Sequence, residues 1–131
     1  MKVKCILEKV TQNQISVLGK NPDRKNDFGI TVDKEYIVFG LTFYFDGWGN
    51  GCFVQIITDN DHLIQVPILL FEVVDNRMSS LWEFKLFSSG TIAMWPPSFY
   101  AEFYHDDLFE EIPEIVKDFN KVKHKIMTEF E

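Results

Sequence analysis

From Glu35 to Val74, β-prone runs alternate with turn signals, and this succession predicts an antiparallel meander. Glu35 to Phe45 (EYIVFGLTFYF) is loaded with β-branched and aromatic residues, which suit a pleated, half-buried surface. Gly40 in its middle predicts a bulge or a strong bend. Asp46 to Gly51 (DGWGNG) is the strongest turn signal in the chain, because its glycines allow positive φ. Cys52 to Thr58 reads as the returning strand, Asp59-Asn60-Asp61 as the next turn, and Leu63 to Val66 as a third strand. Pro67 to Leu70 interrupts this strand before Phe71 to Val74 resumes as sheet.

The flanks carry their own periods. Val3, Cys5 and Leu7 alternate with Lys2, Lys4 and Glu8 in a strand pattern over Lys2 to Val10. Gly19 to Gly29 (GKNPDRKNDFG) is loop material. After residue 80, Trp82 to Leu86 alternates, Ser88-Ser89-Gly90 turns, and Thr91 to Trp95 returns until Pro96-Pro97 stops the sheet. At the C-terminus, Ile112, Ile115, Val116, Phe119, Val122, Ile126 and Phe130 recur at spacings of three and four, which is the stripe of an amphipathic helix. Pro113 suits its first turn, where a missing N–H does no harm. Glu110, Glu111 and Glu114 lie at its start and Lys121, Lys123 and Lys125 towards its end, complementing the helix dipole.

The stretch VPILLFEVVD, Val66 to Asp75, resembles the SH3-like small barrel, in which bent strands are followed by a 3-10 turn near a proline and then a last short strand. The likeness covers residues 30–75 and is one of architecture, so it implies no proline-peptide groove. The expected fold is α+β: a strongly bent antiparallel sheet, SH3-like at its centre, with the C-terminal helix packed on it. With 131 residues, one domain is expected, sheet over 1–95 and a helical segment over 106–130.

Charge narrows the function classes. Between Glu102 and Asp118 lie Glu102, Asp106, Asp107, Glu110, Glu111, Glu114 and Asp118 against Lys117 alone, a balance of 7 − 1. The whole chain has a net charge of −7, so the rest is nearly balanced at 13 acidic to 12 basic residues. An acidic chain of this kind is not expected to bind nucleic acid, which needs Lys and Arg on phosphate. A concentrated negative field instead steers a cationic partner. The opening MKVKCILEKV is too polar for a signal peptide, and no apolar run approaches the ~20 residues of a membrane span, so a cytoplasmic protein without a membrane segment is expected. Cys5 and Cys52 fall in apolar, strand-like runs and read as small buried hydrophobes.

Several constellations have competing readings. The acidic window is either a solvated helix start with dipole-favoured carboxylates or a protein-binding face. Glu102-x-x-His105 has the spacing of a carboxylate-bridged di-metal helix, but that architecture needs two copies and two further glutamates, so no metal and no cofactor are expected. Trp48, between glycines at a hairpin tip, either contacts a partner or folds back onto the sheet. His62 follows Asp59 and Asp61, and a carboxylate can orient a general base, yet no nucleophile motif accompanies it and turn chemistry accounts for the segment. No catalytic residue is assigned, and the chain is not expected to be an enzyme. Lys20, Arg24 and Lys25 are interleaved with Asp23 and Asp27 and form no basic patch.

The tracts DKEYIVFGL (Asp33 to Leu41), PILLFEVVD (Pro67 to Asp75) and FYHDDLFEEIPEIVKDF (Phe103 to Phe119) give the chain a texture similar to the small acidic immunity proteins encoded beside bacterial polymorphic or contact-dependent toxins. The resemblance implies a non-enzymatic inhibitor that blocks the cationic active site of a toxin. Glu102, Asp106, Asp107, Glu110, Glu111 and Glu114 would supply the charge, and Trp48 or Trp95 an aromatic anchor. The alternative is a generic SH3-like module of phage or mobile-element origin that binds a peptide or self-associates through its aromatic surface.

Overall fold

A computed structural model describes residues 1–8, 28–45 and 51–130. Trp48 and most of the 19–29 loop lie outside these residues. The described chain is α+β, with two antiparallel sheets and two helices. Strand β1 (Lys2–Cys5) lies between β2 (Glu35–Ile37) and β6 (Phe71–Asp75) in a three-stranded sheet. The second sheet has the order β5-β4-β3-β8-β7, from β3 (Gly40–Tyr44), β4 (Gly51–Ile57), β5 (Leu63–Pro67), β7 (Glu83–Leu86) and β8 (Ile92–Trp95). The described strands thus make two sheets and no closed barrel.

The bend expected at Gly40 is where the chain changes sheets. The run that reads as one strand from Glu35 to Phe45 is divided at Val38–Phe39, with β2 on one sheet and β3 on the other. The chain crosses back through a 3-10 turn, Ile68–Leu70, directly after Pro67, as the interruption in the sequence predicts. The last strand of the meander, β6, then pairs with β1 rather than with β5.

The register sorts residues onto faces, because side chains alternate across a strand. Leu41, Val54, Ile56 and Val66 on one face of the five-stranded sheet pack against Val3, Cys5, Tyr36, Leu70 and Phe71 of the smaller sheet. The opposite face carries Thr42, Gln55, Ile57, Leu63 and Trp95, and the helices lie over it. Burying both faces explains why β4 reads as a nearly unbroken apolar run.

The helical segment expected over 106–130 is two helices, α1 (Tyr104–Phe109) and α2 (Pro113–Glu129). Pro113 opens α2 as predicted, and Phe119, Ile126 and Phe130 are buried with Phe39 and Phe99 in a second core. The last turn of α2 carries no basic residue. Its Glu129 carboxylate instead accepts hydrogen bonds from Ser79 Oγ, Ser80 Oγ and Ser80 N–H, tying the helix end to the chain before β7.

Candidate functional site

The helical corner is set by the aromatic layer beneath it. After Pro96, a 3-10 turn (Pro97–Tyr100) drives Phe99 into the second core. The Phe99 ring stacks on Tyr104 with centroids 5.1 Å apart, meets His105 edge-on at 5.4 Å, and lies 6.2 Å from Phe119. Aromatic pairs at these separations contribute beyond their buried area. Tyr104 donates its hydroxyl proton to Asp118 Oδ2 at 2.8 Å and so fastens α1 to α2. Burial, with the Asp118 carboxylate beside it, pushes the Tyr104 phenol well above its ordinary range.

On this layer the acidic residues are spread over α1, the link that follows it and the start of α2. Asp106 and Asp107 are in the first turn of α1, Glu110 caps its C-terminus, Glu111 lies in the link, and Glu114 is in the first turn of α2. Glu102, Asp106, Glu110, Glu111 and Glu114 are exposed, and Asp107 is half-buried. None of the six forms an ion pair with another described residue. Phe103 and Phe109 bracket α1 and remain 63% and 67% exposed, so the corner presents two largely exposed rings among its carboxylates. The seventh acid of the window, Asp118, is engaged by Tyr104.

The backbone turns left-handed at both ends of α1. Phe103 and Glu111 take the left-handed conformation, at φ 63° and 59°. Asp33 and Asp61 also do so, where aspartate tolerates that region through local hydrogen bonding. Glu111 closes α1 in a Schellman motif, with Ile112 N–H donating to Asp107 O and Glu111 N–H to Leu108 O, which leaves Phe103 as the outlier.

A cleft of about 180 Å³ opens between the corner and the β4–β5 turn. Asp61, His62, His105, Phe109, Glu111 and Lys123 are among its lining residues. His62 lies edge-on against Phe109, with centroids 5.0 Å apart. The carboxylate of Asp59, which the sequence places near His62, is engaged elsewhere. It accepts hydrogen bonds from Thr31 Oγ1 (2.6 Å), Lys34 Nζ (2.5 Å) and Tyr36 OH (2.9 Å), pinning the turn to the entry of β2. The Lys34 ammonium is the main reason this carboxyl is held below its usual range.

Sequence spacing gives no sign of what His105 does. Its Nε2 lies 3.1 Å from Oε1 of Gln55, fifty positions away, and its ring meets Trp95 edge-on at 5.3 Å. Glu102, three residues earlier, stays exposed while His105 turns inward. Gln55 is fully buried in β4, and its Nε2 has no hydrogen-bond partner. The only hint in the sequence is a lone amide in an otherwise apolar strand.

Burial lowers the His105 pKa below 6.5, more than the nearby Asp106 charge raises it. The folded chain therefore holds the ring neutral where the unfolded chain protonates it. This contribution to stability is complete above about pH 6.5 and is lost as pH falls below it. The melting temperature is expected to drop between pH 7.5 and 5, and His105→Phe should flatten that part of the profile. Parallel wild-type and variant melting curves over this range would show that His105 is not the titrating group.

Among the described residues, no helix is long and apolar enough to cross a membrane. Cys5 and Cys52 are free thiols, and burial pushes the Cys52 thiol up to about 11, so it is a poor nucleophile. No protein-family model matches the chain, and neither a curated protein nor a solved structure is significantly similar to it.

Proposed function

We propose that this chain acts by binding another protein through the α1–α2 corner, as an immunity protein that blocks a cationic toxin site. The observation that carries this reading is the exposure of Glu102, Asp106, Glu110, Glu111 and Glu114 together with two largely exposed rings, Phe103 and Phe109. Carboxylates supply steering and register, and aromatic side chains supply contact area at small entropic cost. The left-handed backbone at Phe103, a bulky residue that rarely adopts it, supports the same place, since such conformations persist where function uses them. Binding rather than catalysis is favoured by the engagement of Asp59 with Thr31, Lys34 and Tyr36, and of His105 with Gln55. Such a protein would act in the cytoplasm, without a cofactor and without nucleic acid.

Capture of a basic protein from lysate tests this reading. Retention at low salt and release at high salt are expected, because screening weakens exposed charge pairs. Asp106→Lys with Glu110→Lys should weaken binding by about 100-fold or more, given that close interfacial pairs couple by several kcal/mol. Both side chains are exposed, so the melting temperature should move little. Undiminished capture by the double variant would exclude the corner.

A second reading, an SH3-like interaction or oligomerisation module, has its own support. It rests on the bent meander and on the 3-10 turn after Pro67 that leads into the short strand β6. Phe45, Phe84 and Leu86 leave apolar surface uncovered away from the corner.

A further inference from the structure

Strand β7 ends the five-stranded sheet, with β8 on one side and no described strand on the other. All four of its residues are exposed. Its register with β8 places Phe84 beside Met94 and Leu86 beside Ile92, on the face that farther along covers the smaller sheet. That smaller sheet does not reach β7, and Phe84 and Leu86 remain 65% and 63% exposed. Natural edges are guarded by prolines, bulges or charges held in the pairing path. Here Lys85 is folded back, with Nζ 4.9 Å over the Phe87 ring and 5.4 Å over Tyr100, and leaves the edge open.

We propose that β7 is a self-pairing edge, where a second copy of this chain adds its own β7 antiparallel and joins the two five-stranded sheets into one. The inference builds on the second functional reading and is independent of the acidic corner. Three features select a copy of the same strand. Self-pairing about a twofold axis at Phe84 sets Glu83 of each chain opposite Lys85 of the other, and on pairing the Lys85 ammonium swings from the Phe87 and Tyr100 rings to the Glu83 carboxylate, giving two pairs of opposite charge. The neighbouring register, centred on Lys85, sets like charges face to face and is disfavoured.

The backbone agrees with the first register. Phe87 N–H donates to Thr91 O in the hairpin, so by the alternation of an antiparallel ladder Lys85 and Glu83 also point towards β8. The N–H and C=O groups of Phe84 therefore point outward, and at the axis they form a reciprocal hydrogen-bonded pair. On the apolar face, the axis brings the two Phe84 rings together and makes the uncovered strips of the two copies continuous.

Sedimentation of the full chain over a range of concentrations tests the proposal, with far-ultraviolet spectra to confirm folding. Wild type is expected to pass from monomer to dimer. Glu83→Lys alone, or Lys85→Glu alone, opposes like charges in both pairs and should raise the dimer Kd about tenfold, since each cross-strand pair carries up to ~1 kcal/mol. The double variant, Glu83→Lys with Lys85→Glu, re-forms both pairs and should return the Kd to near the wild-type value. A chain that stays monomeric overturns the proposal and leaves the edge to an extended segment of another protein. A dimer indifferent to the single variants, or one that the double variant fails to restore, also overturns it.

Discussion

Phe99→Ala is expected to lower stability by about 3–5 kcal/mol, the range for removing a fully buried aromatic ring. Phe99 is 1% exposed and joins the 3-10 turn to both helices through Tyr104, His105 and Phe119. Its loss removes the surface on which α1 rests. Surrounding groups can collapse only partly, because Tyr104 is tied to Asp118 and His105 to Gln55. Urea unfolding measures the change. Phe99→Leu, which keeps most of the volume, should lose about half as much. A loss below about 1 kcal/mol for the alanine variant would mean that the corner does not depend on this ring. If the corner is the binding face, Phe99→Ala should also weaken capture of a basic partner under conditions where the sheet remains folded.

Gly40→Ala should be destabilising by about 1–3 kcal/mol, although in an open strand the same change usually helps. The backbone of Gly40 is not in the left-handed region, so the cost is steric. An added Cβ would lie 2.8 Å from Trp95 Cδ1, 3.3 Å from the Met94 carbonyl oxygen and 3.4 Å from Gln55 Cδ. The pairing explains the crowding. Gly40 sits opposite Gln55 on β4 and in line with Trp95 on β8, and the two large side chains lean into the space that its missing side chain leaves. Trp95 cannot swing aside freely, because its Nε1–H donates to Thr42 Oγ1 at 2.9 Å. In a Trp95→Leu background, the cost of Gly40→Ala should fall sharply. Equal costs in both backgrounds would place the strain elsewhere.

Much of the local structure is legible from residue periods. The three-and-four spacing from Ile112 to Phe130, with Pro113 at the start, marks α2. The alternation in Trp82 to Leu86 and the Ser-Ser-Gly turn mark the β7–β8 hairpin, and the proline after Val66 marks the 3-10 turn. Less is legible where two readings share one pattern. EYIVFGLTFYF reads as one bent strand, and its division between two sheets depends on β1 and β8 lying beside its two halves. The clustering of acids is plain in the sequence, but the exposure of Phe103 and Phe109 beside them is not. A ring in an aromatic-rich segment has the same composition whether it is covered or open.

The α2 stripe, the β7–β8 hairpin, the turn residues and the uneven distribution of charge were therefore determined by the sequence alone, because each rests on neighbours a few positions away. The tertiary structure alone decided that His105 turns inward to Gln55, that Asp59 serves the entry of β2 and not His62, and that the apolar side chains of β7, Phe84 and Leu86, stay exposed. The alternation of a strand shows that it has two faces, but not which of them another element reaches. That depends on contacts between residues tens of positions apart, where a side chain's chemistry is set by what it meets.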